Sequence, residues 1–234
     1  MATCANYLQG LVLRATKLDA CGAPVEGASS TVTTKGFINF ELEADEESGN
    51  AISPTLANGE RCYYYSTKKN LNGIKVNIEL CQVDPDLFNL ITGAPLVMDD
   101  ASPTPGSIGF TTDSASYGVA NVALELWMNT KGTACSTSGT SSRRWGYYLL
   151  PWVYQGTVGK PTIENDAVNF KISDAITQDG NQWGLGAYNI QYTRLGVASR
   201  LFTSLSTTAH DLLMLTNMAP PTPVCGFQTL VIPT

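Results

Sequence analysis

Residues 74–93 read IKVNIELCQVDPDLFNLITG, and two periods meet inside them. Ile74, Val76, Ile78 and Leu80 alternate with Lys75, Asn77 and Glu79, which is the period of a strand with one buried face. From Asp84 the pattern changes. Asp84 occupies an N-cap, Pro85 the first helical position, Asp86 the positive helix end, and Gly93 the left-handed position that stops a helix. Leu87, Leu90 and Ile91 fall on one face at i, i+3 and i+4, which predicts a helix of about two turns over 84–92 lying against a sheet through those three side chains.

Outward from this stretch the period is two almost everywhere. Val168, Phe170 and Ile172 alternate with Asn169, Lys171 and Ser173, and Val122, Leu124, Leu126 and Met128 repeat the pattern. Further strands are expected over Tyr7–Arg14, Phe37–Ala44, Arg61–Tyr65, Ser107–Thr112, Trp145–Tyr154, Trp183–Thr193 and Gly226–Ile232, divided by Gly, Asn, Pro and Ser clusters. The class is mainly β, a sandwich or barrel with one short helix, and residues 1–234 read as a single domain. Three connections look exposed: Asp45–Glu60, the Ser/Thr/Gly-rich Asn129–Arg144, and an extended proline-rich segment from Asn217. Loops this long are uncommon in a compact domain unless they bind something or are disordered.

Composition excludes several functions. The 234 residues carry 14 Lys and Arg against 20 Asp and Glu, a net charge of −6, with no long basic run to displace counterions from nucleic acid. One histidine, His210, is too few for zinc or iron sites built on two or three histidines. No G-x-S-x-G elbow, Walker loop or dinucleotide fingerprint occurs, so neither a cofactor nor an enzymatic activity is expected. His210 beside Asp211 reads as an acid or base, or as a structural histidine entering an apolar segment. The six cysteines, Cys4, Cys21, Cys62, Cys81, Cys135 and Cys225, contain no C-x-x-C pair and read as small, semi-buried thiols, or as disulfides formed later in an oxidising medium whose pairing the sequence leaves open. MATCANYLQG at the start lacks a basic region before an apolar core, which favours cytosolic synthesis with reduced thiols. No apolar run approaches the roughly 18 residues of a membrane helix, so no membrane partner is expected.

One row of charge stands out. Along a strand, Glu41, Glu43, Asp45 and Glu47 point to one side while Leu42 and Ala44 point to the other. Carboxylates about 7 Å apart repel, so that side must be wet. It is a solvated outer face, the inner wall of an aqueous channel, or a cation site, although the D-x-D-x-D-G loop of calcium sites is missing. Tyr63, Tyr64, Tyr65, Trp145, Tyr147, Tyr148, Trp152 and Tyr154 offer either a stacking platform or packing in core and interfaces, and with only the isolated pair Arg143–Arg144 nearby packing is favoured.

Several runs carry a resemblance. Leu13-Arg14-Ala15-Thr16-Lys17-Leu18-Asp19-Ala20-Cys21-Gly22-Ala23-Pro24-Val25, Thr34-Lys35-Gly36-Phe37, Leu80-Cys81-Gln82-Val83-Asp84-Pro85-Asp86-Leu87 with Ile91-Thr92-Gly93, and His210-Asp211-Leu212-Leu213-Met214-Leu215-Thr216 before Ala219-Pro220-Pro221 and Cys225-Gly226 resemble the major tail proteins of long-tailed, non-contractile bacteriophages of actinobacteria. The resemblance implies a tail-tube fold, six copies closing a ring, and rings stacked into a conduit for DNA, in a virion tail assembled in the host bacterial cytoplasm. It implies as partners other copies of the chain, the tape-measure protein, and the terminator and distal tail proteins, with DNA only in transit. A ring of six would carry a formal charge of −36. In such a ring the acidic row is expected to face the lumen, and the long loops and C-terminal segment to reach neighbouring subunits. The alternative is a carbohydrate-binding or adhesive β-sandwich module of a phage tail, using the aromatic residues as its platform.

Overall fold

The computed structural model describes residues 6–131, 145–161 and 168–233. Most of the loop expected at Asn129–Arg144, with the Arg143–Arg144 pair, lies outside the described residues, as do Cys4 and Cys135.

The chain is mainly β, with a large antiparallel sheet and one short helix among the described residues. The sheet is built from β1 (Asn6–Lys17), β2 (Gly27–Thr34), β3 (Phe37–Glu47), β6 (Asn70–Leu80), β9 (Asn121–Lys131), β10 (Trp145–Tyr154), β12 (Phe170–Thr177) and β16 (Val224–Leu230). Their order is β16-β2-β1-β9-β10-β12-β6-β3, with β11 (Thr157–Gly159) beside β12 and β15 (Leu212–Thr216) beside β10. Strand β10 forks the sheet. Its first half pairs with β15 from Trp145 to Leu149, and after a register break at Pro151–Trp152 its last residues pair with β12. Proline cannot donate to a ladder, so it sits where the ladder is interrupted. Three small hairpin ladders complete the fold: β4 (Ala51–Ile52) with β5 (Tyr65–Ser66), β7 (Leu96–Met98) with β8 (Ser107–Phe110), and β13 (Gln191–Tyr192) with β14 (Ala198–Ser199).

Two cores flank β9 and β10. Val122 and Leu124 join Leu13, Val32, Val76, Ile78, Leu150 and Ile172 on one side, whereas Ala123 and Trp127 join Tyr147, Leu149, Trp152, Trp183, Ile190 and Leu201 on the other. The second core exists because residues 178–211 run back over the sheet. Gly184 and Gly186 (φ +59 and +97) turn that chain so that Trp183, Ala187 and Ile190 all point inward.

The helix α1 (Pro85–Thr92) forms with the expected caps: the Asp84 side chain accepts from the Asp86 amide, and Gly93 stands at φ 77. Leu87, Leu90 and Ile91 are buried, and so are Phe88, Asp86 and Thr92, so the helix plugs the first core instead of resting one stripe on a surface. Its acidic motif also grips the far end of the chain. Asp84 Oδ2 accepts from the Gly226 amide (2.8 Å) and Asp86 Oδ2 from the Phe227 amide (2.9 Å), fixing β16 against β2. The proline-rich run from Asn217 therefore leads into a strand of the chain's own sheet, and Leu230 at its end is buried. Asp84→Ala removes the cap and orphans the Gly226 amide together. We expect a loss of about 2–3 kcal/mol, read from the urea midpoint at constant m.

Several sequence expectations need correcting. Of Arg61–Tyr65 only Tyr65 lies in a strand, opposite Ile52, and Arg61 makes an isolated bridge to Thr55: the aromatic run has high β propensity, but little backbone stands opposite it. Of Trp183–Thr193 only Gln191–Tyr192 pairs, because the two glycines bend the rest into the covering segment. Strands β2, β4, β7, β11, β14 and β15 are additions to the expected set. In β2 (GASSTVTT) buried hydroxyls replace the apolar alternation; Thr31 Oγ1 donates to the Ala15 carbonyl at 3.0 Å. The four described cysteines, Cys21, Cys62, Cys81 and Cys225, are exposed free thiols and not semi-buried ones.

Candidate functional site

Two exposed features stand at the β3 edge of the sheet: a charged face and an arm. Strands β3 and β6 form a long antiparallel ladder in which Glu41 faces Asn77, Glu43 faces Lys75 and Asp45 faces Gly73. On the core side Leu42 packs partly buried, but Ala44 is exposed and does not turn into the core as alternation alone predicts, because the core ends before this part of the ladder. The opposite side is the wet one. Glu41 borders a shallow cleft with Asn39, Asn77, Glu79, Lys171, Ser173 and Asp174.

This face is not a bare acidic row. Lys75 Nζ reaches Asp45 Oδ1 at 3.0 Å and stands directly across from Glu43. Lys171 stands across from Glu79, whose Oε1 also accepts from Asn169 Nδ2 at 3.1 Å. The hydrogen bond from Lys75 holds the Asp45 carboxyl below the usual carboxylate range, and the bond to Asp45 with its charge raises Lys75. Glu41, Glu43, Asp45, Glu79 and Asp174 together outnumber Lys75 and Lys171, so the face remains net acidic. An extra residue in β6, Asn72, breaks the register between Asp45 and Glu46. Glu47 thus lies beyond the bulge, at the root of the arm, where its neighbour Glu46 pairs with Lys69 Nζ at 2.7 Å.

The arm is the hairpin between β3 and β6, residues 48–69. Every residue from 50 to 69 is exposed except Pro54, which is half-buried. The two-stranded ladder β4–β5 stiffens it, and Asn50 O and the Thr67 amide close its base at 3.1 Å. Ile52, Leu56, Tyr63, Tyr64 and Tyr65 are all exposed along it, and the Arg61 guanidinium lies 5.4 Å from the Tyr64 ring centre. An isolated two-stranded ribbon has no core of its own. Contiguous apolar side chains on one mark a contact surface.

The remaining candidates are structural. His210 Nδ1 lies 2.9 Å from Thr177 Oγ1, which accepts the Ile74 amide, while Asp211 accepts from the Tyr148 hydroxyl at 2.5 Å. His210 and Asp211 thus serve different partners and tie β15 to its neighbours. Tyr147 and Trp152 are buried in the second core, so the aromatic residues do not form one platform. Among the described residues no group of three or more His, Cys, Asp or Glu is placed to hold a metal ion, and no helix is long and apolar enough to cross a membrane.

Sequence reasoning missed one polar constellation altogether. Arg14, seven per cent exposed, bonds Glu125 in a fork, Nε to Oε2 at 2.6 Å and Nη2 to Oε1 at 2.8 Å, and Glu125 is fully buried. Tyr147 donates to Glu125 Oε1 at 2.6 Å. The guanidinium lies 3.2 Å from the Tyr188 ring centre, and the Tyr188 hydroxyl bonds Thr16 Oγ1 at 3.0 Å. Burial, the largest influence, would weaken the hold of Arg14 on its proton, but the charge of Glu125, the hydrogen bonds to it and the neighbouring Tyr188 and Tyr147 together outweigh it and raise Arg14. Burial and the same carboxylate push the Tyr147 hydroxyl well above its ordinary range. A lone Glu between Leu124 and Leu126 carries no sequence sign of being covered.

No family model matches the chain, and no curated protein matches it.

Proposed function

We propose that the chain is the major tail-tube subunit of a long-tailed, non-contractile bacteriophage, a structural protein that closes six-membered rings and stacks them into a conduit for DNA. One observation carries this reading: the exposed arm at 48–69 presents Ile52, Leu56 and three consecutive tyrosines with nothing among the described residues to cover them. A monomer seldom exposes such a patch without a partner for it. A large β sheet with a net acidic face suits a wall past which a polyanion must slide, since like charge keeps phosphates from lodging. The tape-measure, terminator and distal tail proteins are the further partners of this reading, and the virion tail is its location.

The three tyrosines would equally serve an adhesive module as a stacking platform. Negative-stain microscopy of the purified protein separates the two. Hollow tubes of regular ring spacing are expected; discrete particles that bind cell-wall polysaccharide would replace the tube by the adhesin. Because Asn50 and Thr67 already meet, replacing residues 51–66 by an Asn-Gly turn shortens the hairpin with little strain. That variant is expected to keep the wild-type unfolding free energy within about 1 kcal/mol yet form no tubes.

A further inference from the structure

The β3–β6 ladder carries an exposed element at each of its ends. At the Glu47/Asn70 end stands the arm. At the Phe37/Leu80 end the chain passes through α1 into the β7–β8 hairpin and the loop that follows it, which Phe110 anchors by stacking on Phe88 at 4.6 Å. This second element is also poorly covered: Val97, Met98, Ile108, Tyr117 and Val119 are all exposed. Ten residue steps of β6 at about 3.3 Å each put the two attachment points roughly 30 Å apart.

The two elements differ in charge. Residues 48–69 hold Arg61, Lys68 and Lys69 against Glu60 alone; with Lys69 paired to Glu46 at the root, the arm keeps a net of +1. Residues 94–120 hold Asp99, Asp100 and Asp113 with no Lys or Arg, a net of −3. The β7–β8 loop is also preshaped, because Asp99 Oδ1 accepts from the Ala101 and Gly106 amides and Asp113 Oδ1 from the Ala115 amide. A cationic aromatic ribbon and an anionic apolar hairpin at opposite ends of one subunit are complementary to each other, and neither is complementary to itself. Two different patches that fit produce a head-to-tail contact, which repeats without limit unless rotation closes it.

We propose that the arm of one copy docks on the β7–β8 end of a second copy, with the tyrosines over Val97, Met98, Ile108 and Tyr117, and Arg61 and Lys68 opposite Asp100 and Asp113. The inference rests on the tube reading and deepens it by naming the receiving surface. Charge complementarity sets the direction of stacking, and aromatic burial supplies most of the affinity.

A charge exchange tests the contact in the full-length protein. Arg61→Glu with Lys68→Glu is expected to lower polymer yield at least tenfold at low salt, and so is Asp100→Lys with Asp113→Lys. The four substitutions together restore polymer to within about threefold of wild type, because the attraction is re-formed with reversed sign. Cys62 on the arm supplies a second readout. With Ile108→Cys, mild oxidation should give a ladder of disulfide-linked multimers, whereas Leu213→Cys, exposed on β15, should not. Tubes that form normally from both charge-reversed variants, or a quadruple variant no better than either parent, together with no disulfide ladder from the Ile108→Cys protein, overturn the proposed contact and leave the tube reading in place. Wild-type protein that stays monomeric at every salt and concentration overturns both.

Discussion

Arg14→Met is expected to destabilise the subunit by about 3–5 kcal/mol, the largest effect of any single substitution outside the apolar cores. The fork to Glu125 is buried on both partners, and Glu125 has no other cation bonded to it among the described residues. Removing the guanidinium leaves a carboxylate in a dry site with the Tyr147 hydroxyl as its remaining partner. The stack on Tyr188 is lost with it, and that ring holds the covering segment to β1 through Thr16. The measurement is the urea midpoint of the monomer at unchanged m. A second variant tests the cause. Arg14→Met with Glu125→Leu and Tyr147→Phe deletes every polar partner together, and should recover more than half of the loss, because no charge is then left unpaired. A loss below about 1 kcal/mol in the single variant would mean that water reaches Glu125, and the two-core description of β9 would have to be abandoned.

This buried fork also marks where the sequence stops being readable. Helix α1 was legible because its signals are local: the cap at Asp84, Pro85, the spacing of Leu87, Leu90 and Ile91, and the stop at Gly93 all lie within ten residues. The bounds of β10 were legible for the same reason, since an apolar run flanked by loops needs no knowledge of its partners. Strand β9 was legible as a strand but not as one buried on both faces. Its Glu125 and Trp127 lie on the side that alternation assigns to solvent, and only the return of residues 178–211 across the sheet makes that side a core. The β16 clasp is similarly non-local, joining Asp84 to Gly226 across 142 positions. On β3 alternation gave exposed Glu41 and Glu43 and a partly buried Leu42, but not the exposure of Ala44 or the bulge that sets Glu47 apart. The Lys75 and Lys171 partners of its acidic side belong to β6 and β12, and only strand register brings them opposite the carboxylates.

That register sharpens the test of which way the acidic face points. Glu41→Lys with Glu43→Lys moves the subunit charge from −6 to −2, but its local effect is greater. The face would then hold Asp45, Glu79 and Asp174 against four lysines, so its sign inverts. Both positions are exposed and neither side chain makes a core contact, so folding and tube length should change little. On the proposed tube reading, a face that lines the lumen would set six cationic patches against the phosphates at every ring. A ring that gains even four phosphate contacts holds DNA about a hundredfold more tightly at 50 mM than at 200 mM salt, since binding follows counterion release. DNA ejection from particles carrying the variant is therefore expected to slow sharply at low salt and to recover as salt is added, while the wild type shows little dependence. Lys75 predicts a further asymmetry. Glu43→Lys sets two ammonium groups directly opposite one another and weakens the hold of Lys75 on Asp45, whereas Glu41→Lys faces only Asn77. Glu41→Lys alone leaves four carboxylates against three lysines on the face, so it should keep near wild-type ejection with an unchanged unfolding midpoint, and the brake should need both substitutions. Ejection that is unaffected by the double variant at low salt places these carboxylates on the outside of the tube, where inverted charge meets no DNA.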